Sequence, residues 1–285
     1  MNPVQAEILR LLDVEKVEEN IFRGHNDPHH PHVFGGQVLA QAIAAAGRTV
    51  DQESSLHSLH AYFLRPGDWN LPVLYEVERI RDGRSFTTRR VVAIQHGRPI
   101  FNLASSWQRP EEGLAHSLPM PAAPPPEGLR TDEDCYAEIA REHPEVEHFA
   151  FRYKAIDARQ VEGLLMTESR PHPPRKSTWV RTVDPLPDSA EVHLCMLAYI
   201  SDTDFMATAL LPHGRSAAAG RDNIQGASLD HAMWFHRPFR ADEWLLFVKD
   251  SPFSGGARGF VRGSFYNQAG DLVASAMQEC LIRQR

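Results

Sequence analysis

Ser228, Asp230 and His231 fall within four consecutive positions of the stretch SLDHAMWFHRP (228–238). A serine, an aspartate and a histidine are the residue types of a nucleophilic triad, in which a base takes the serine proton and an acid orients the base. Here the local version fails on geometry. The stretch reads as a strand, and side chains along a strand alternate between the two faces. Ser228, Asp230, Ala232 and Trp234 would share one face, and Leu229, His231, Met233 and Phe235 the other. Ser228 and His231 are therefore expected on opposite sides of a sheet.

Two other polar residues stand out by their surroundings. Gln278 lies in LVASAMQECLI, on a face that otherwise reads Leu272, Ala274, Ala276, Cys280, Ile282. A buried amide must find partners or cost roughly 1–3 kcal/mol. Gln278 is thus either a core residue satisfied by backbone groups or a functional one, and Glu279, on the opposite face, is expected at the rim. Asp202 follows the apolar run AEVHLCMLAYI (190–200). A carboxylate at a helix C-terminus faces the unfavourable end of the dipole, which favours its protonated form and suits a general base. A solvated loop aspartate is the other reading, and Asp204 is the alternative carboxylate.

The elements that must hold these residues come in two copies. Pro3 behind Asn2 opens an amphipathic helix that buries Ile8, Leu11 and Leu12, and a possible short strand ends at Phe22. Gly35 and Gly36 precede an alanine-rich run to Ala46, with Gly47 as its expected C-cap. A helix apolar nearly all round should be buried. Strands are expected at 56–65, 73–81, 85–96 and 99–108. A linker composition follows, with six of the chain's 21 prolines in 109–129. The order then recurs: strands at 148–157 and 177–183, the apolar helix 190–200, and strands at 226–237, 244–250, 258–267 and 271–282. Aligning Pro66 with Pro238 lays AYFLRP on MWFHRP, and a one-residue shift superposes the last strands. Such a match signals duplication. In this alignment Ser228 meets Leu56 and Gln278 meets Ser105. One apolar helix with a curved antiparallel meander, taken twice, predicts an α+β double hot dog: a domain at 1–110, a linker at 111–145 and a domain at 146–285 that carries the catalytic set.

Composition narrows the function. A net charge of −7 argues against nucleic acid. Cys135, Cys195 and Cys280 lack metal-ligand spacing and read as buried thiols of a reducing compartment. His25, His29, His30 and His32 cluster, but the intervening prolines point to a surface loop, so no metal and no cofactor are expected. MNPVQAEILRLL lacks a basic start and an apolar core, RQR is no targeting tripeptide, and no run of about 18 apolar residues is evident, so a cytoplasmic location without a membrane span is expected.

HVFGGQVLAQA (32–42), LHAYFLRPGD (59–68), ERIRDGRSFTTRRVVAIQ (78–95), LAYISD (197–202), LDHAMWFHRPF (229–239), WLLF (244–247) and ARGFVRGSFYNQAGDLVASAMQE (257–279) together resemble the type II acyl-CoA thioesterase family over nearly the whole chain. The resemblance weakens in the linker, in 130–150 and in 203–222. It implies hydrolysis of acyl-CoA to free fatty acid and CoA, with no metal and no covalent acyl-enzyme. It also implies a water held by Asp202, Ser228 and Gln278, with Ser228 at a place where bacterial members often carry threonine. Asp202 would take the water's proton, and Ser228 and Gln278 would aim it. The helix start at Gly35, Gly36 and Gln37 is the expected source of donors for the thioester oxygen. Two alternatives are a non-catalytic acyl-CoA or acyl-carrier binding module and a hot-dog hydratase or dehydratase. The latter needs an Asp–His pair that the strand pattern does not supply. Arg65, Arg84, Arg258 and Arg262 could meet CoA phosphates or be plain surface charge. A homo-oligomer, dimer or tetramer, is the expected state.

Overall fold

The computed structural model describes residues 1–27, 33–143, 154–165, 169–215 and 224–284. Helix α1 spans Pro3–Leu12, with Asn2 Oδ1 accepting from Val4 N at 2.8 Å. Strands β1 (Glu15–Glu18) and β2 (Ile21–Gly24) lead to helix α2 (Gly35–Gly47) and to β3 (Ser55–Phe63), β4 (Val73–Asp82), β5 (Phe86–Gln95) and β6 (Arg98–Gln108). The second half holds β7 (Ile156–Gln160), β8 (Arg175–Thr182), α4 (Ala190–Ser201), α5 (Phe205–Leu210), β9 (Ile224–Ser228), β10 (Asp230–Phe235), β11 (Leu245–Gly255), β12 (Arg258–Asn267) and β13 (Leu272–Gln284). Between the halves lies α3 (Asp132–Glu142), inside the stretch whose prolines read as linker. Thr131 caps it, its side chain accepting from Asp134 N at 3.1 Å.

All strands pair antiparallel in one sheet, in the order β1-β2-β4-β5-β6-β3-β10-β13-β12-β11-β8-β7, with β9 also on β13. The order on one side of the β3–β10 seam mirrors the order on the other. Asp230 pairs with Tyr62 and Trp234 with Ser58 across that seam. Each half wraps its sheet around one helix, which makes the chain a double hot dog. Helix α2 is buried on every side from Gly36 to Ala46, because its alanines let sheet and neighbouring helix approach closely. Gly47 is its last residue rather than a left-handed cap, and a side chain there would meet the Trp107 ring at 3.2 Å.

Helix α4 packs beside α2, with the Cys195 thiol donating to Ala40 O at 3.5 Å. By length and composition the segment Ala190–His213 could cross a membrane, which the sequence reading did not anticipate. Most of it is buried within the fold, as befits a core helix. Residues 144–153, part of the strand expected at 148–157, lie outside the described residues.

The expected strand 226–237 is two strands. Ser228 pairs with Cys280 and Ala232 with Met277, so the chain takes four steps on one side against three on the other. That is a β-bulge, centred on Leu229. The groups it frees are satisfied locally: Leu229 N donates to Glu279 O at 2.9 Å, and Glu279 N donates to Asp230 Oδ1 at 2.6 Å.

Candidate active site

The bulge changes which residues face one another. Past it, alternation restarts, and His231 and Met233 turn to the same inner side as Ser228. The expectation that Ser228 and His231 lie on opposite faces is therefore wrong, because simple alternation assumes an unbroken ladder. On β13, Gln278 and Cys280 face the same inner side. The four side chains meet: Gln278 Nε2 donates to Ser228 Oγ at 2.8 Å and to Cys280 Sγ at 3.3 Å, while Gln278 Oε1 lies 2.6 Å from His231 Nδ1. Gln278 is 2% exposed, and its amide is satisfied by these side chains rather than by backbone.

His231 is fully buried, and burial pushes its imidazole down to about 4 against the opposing hydrogen bond to Gln278. The ring is therefore neutral at neutral pH. Both ring nitrogens are engaged, Nε2 lying 2.9 Å from Ser201 Oγ and Nδ1 2.6 Å from Gln278 Oε1. Burial likewise pushes the Cys280 thiol up to about 12, opposed by the Gln278 hydrogen bond and reinforced by the charge of Asp202. Cys280 is a neutral neighbour, not a nucleophile.

Asp202 sits at the C-cap of α4, where its backbone N–H bonds Ile200 O. The N-terminus of α2, from the other half, comes up against it. A side chain at Gly35 would place its first carbon 2.6 Å from Asp202 Oδ2, and one at Gly36 would lie 2.5 Å from Tyr199 O. Only glycine fits here, and the approach brings the two halves together at one point. The N-cap of α2 is Phe34, which offers no side-chain capping hydrogen bond. Gln37 is otherwise employed: its N–H bonds Phe34 O, and Nε2 donates to His25 O and to Asn26 Oδ1, each at 3.0 Å.

Asp204 stands elsewhere. Its backbone is left-handed (φ 65°), and its carboxylate accepts from Lys176 Nζ at 3.1 Å and Gln160 Nε2 at 3.0 Å, with Lys249 Nζ at 3.9 Å. Burial pushes this carboxyl up, but the two ammonium groups outweigh it and hold it well below the usual range. Glu279 is at the rim, paired with Arg258 at 2.9 Å. Arg262 pairs with Asp250, Arg65 donates to Pro99 O at 2.6 Å, and Arg84 is exposed. Among the described residues no group of three His, Cys, Asp or Glu side chains is placed to hold a metal ion. His29, His30 and His32 lie outside them.

Nothing in the sequence pointed to Ser201 at the end of α4, and strand alternation misplaces His231. One signal was available: aspartate is disfavoured inside strands, so Asp230 marks an interruption of the ladder.

The inner face thus holds two groups of interest: the buried Gln278 amide on the Ser228 hydroxyl, and the Asp202 carboxylate against the N-terminus of α2. The acyl-CoA thioesterase family model matches residues 154–281, and the acyl-CoA thioesterase N-terminal domain model matches residues 22–108. The chain is 39% identical over 287 residues to mouse acyl-coenzyme A thioesterase 8, covering 97% of this chain and 88% of that protein. It is 36% identical to acyl-CoA thioesterase 2 of Haemophilus influenzae, with 99% of each covered. The crystal structure of acyl-CoA thioesterase II TesB2 from Mycobacterium marinum superposes with a TM-score of 0.80 at 42% identity, 98% of each chain being covered. The chain belongs to the acyl-CoA thioesterase family, and it is a thioester hydrolase.

Proposed function

We propose that the chain hydrolyses acyl-CoA thioesters to free fatty acid and CoA at one site per chain. In this reading Asp202 takes the proton of a water that Ser228 and Gln278 aim at the thioester carbonyl. Oxygen attacks carbon, the C–S bond breaks, and the CoA thiolate leaves with a proton returned to it. The N–H groups of Gly35 and Gly36 meet the charge that builds on the carbonyl oxygen.

The observation that carries the reading is the approach of Gly35 to Asp202, which puts a helix N-terminus of one half against a carboxylate of the other. A second supports the absence of an acyl-enzyme. A nucleophilic serine needs a base at its hydroxyl. Ser228 Oγ instead accepts a hydrogen bond from the Gln278 amide N–H, which cannot take a proton.

The test is thiol release from a series of straight-chain acyl-CoAs of increasing length. Turnover with at least one of them is expected, and the profile defines the preferred chain. Binding of acyl-CoA without release at any length would leave a non-catalytic binding module.

A further inference from the structure

We propose that His231 is a positioning residue for the reaction, holding the Gln278 amide in the one orientation that points its N–H at Ser228. This rests on the reading that Ser228 and Gln278 hold the attacking water. An amide can present either its oxygen or its nitrogen to a hydroxyl, and the two choices differ by a half-turn about the last side-chain bond. With oxygen toward Ser228, the serine hydroxyl would be drawn into donating to Gln278 and lost to the water. His231 Nδ1, at 2.6 Å from Gln278 Oε1, decides between them. It can favour the observed orientation only as a donor.

Its other nitrogen helps to make the ring a donor there. Ser201 Oγ lies 2.9 Å from His231 Nε2 and 2.8 Å from Ala198 O. A neutral ring with its proton on Nδ1 leaves Nε2 as an acceptor facing the Ser201 hydroxyl, whose one proton Ala198 O also competes for; the Gln278 oxygen at Nδ1 and the Ser201 proton at Nε2 together favour this tautomer. Packing fixes the plane: the Phe205 ring meets His231 edge-on at 5.5 Å, and the Met233 sulfur lies 3.3 Å from Ser201 Oγ. The relay runs Ser201, His231, Gln278, Ser228. It starts at the residue before Asp202, so one helix end sets both the carboxylate and the far end of the chain that orients the amide.

A double-mutant cycle read in steady-state thiol release tests this. His231→Leu fills the space without a donor, and kcat is expected to fall about a hundredfold with KM changed by less than about twofold. His231→Asn, whose amide nitrogen stands near the place of Nδ1, is expected to recover most of that loss. In a Gln278→Ala background, already slow, His231→Leu should cost less than about twofold more, because the residue it acts through is gone. Ser201→Ala should lower kcat several-fold at unchanged KM, and it decides the matter if His231→Leu does not fold. Wild-type kcat in His231→Leu, or in Ser201→Ala where the former does not fold, overturns the proposal while Gln278→Ala stays slow. Losses that multiply in the cycle overturn it too. Near-normal turnover of Gln278→Ala is a different result: it removes the water-holding role of Gln278, and the positioning role falls with it.

Discussion

The two halves carry the same scaffold but line it differently, one with polar side chains and one with apolar ones. The β-bulge that gathers Ser228, His231 and Gln278 has a counterpart in the first half. There Leu56 pairs with Trp107 and Ser58 with Ser106, so His57 is the extra residue, at the place Leu229 holds in the second half. Around the first bulge stand Leu56, Leu59 and Trp107, all buried, where the second has Ser228, His231 and Cys280. Ser105, aligned with Gln278, accepts from Trp107 Nε1 at 3.1 Å. At the helix C-cap the first half has Arg48, bonded to Asp13 and to Val14 O, where the second has Asp202. The glycine pair is reversed: it opens α2 in the first half and serves the second. The bulge therefore does not create a catalytic site. It creates a place where three inward side chains converge, and in one half that place is filled with hydrocarbon.

The comparison breaks most easily at the helix caps. Asp202→Asn keeps the shape and removes the base, so turnover of acyl-CoA should fall by about 10²–10⁴. Arg48→Ala, at the other cap, should leave kcat unchanged. Gly35→Ala comes next. Its methyl would stand 2.6 Å from Asp202 Oδ2, and displacing the carboxylate by that clash should cost about a hundredfold in kcat. Leu56→Ser copies the polar choice of the second half into the first. It should add no activity and lower unfolding stability by about 2–5 kcal/mol in denaturant titrations, since a well-packed leucine is lost.

The smallest effect is a pH dependence at α3, between the halves, where its first residue meets the second half. Asp132, at the start of α3, accepts from Gln160 Nε2 at 2.8 Å beside the Asp204 cluster. Burial pushes its carboxyl up to about 7, with the Gln160 hydrogen bond opposing and the charge of Asp204 adding to the rise. The folded chain thus keeps a proton that the unfolded chain gives up near pH 4, and stability should fall as pH rises from about 4 to 7. Asp132→Asn mimics the protonated form. Its melting temperature should exceed that of wild type by a margin that grows from about pH 4 to pH 7 and then levels off.

Much of the fold was legible because its signals are periodic. The alanine run of α2, the apolar run of α4 and the aligned strands placed the two core helices and most long strands within a few residues, and the helix-end location of Asp202 followed from the same pattern, while β1, α5 and most of β7 were not anticipated. What escaped depends on contacts between distant segments. The bulge at Leu229 leaves both flanking strands looking regular, so alternation carried across it put His231 on the wrong face. Helix α3 hid in a stretch whose prolines read as linker, though Thr131 and the acidic first turn that follows were a cap signal. The place of Asp204 in an ion cluster with Lys176 and Lys249 could not be read either, because sequence alone does not bring those residues near. Gln37, adjacent to the two glycines, could not be told from them until its side chain was seen reaching the 25–26 loop.

The central claim is that water, not Ser228, attacks the thioester. A rapid-quench first turnover, with thiol and free fatty acid measured in the same samples, tests it directly. The account predicts that both products appear together at every time point and that the quenched protein keeps its unmodified mass. A burst of thiol approaching one equivalent per chain ahead of the acid, with the acyl group found on Ser228, would contradict it.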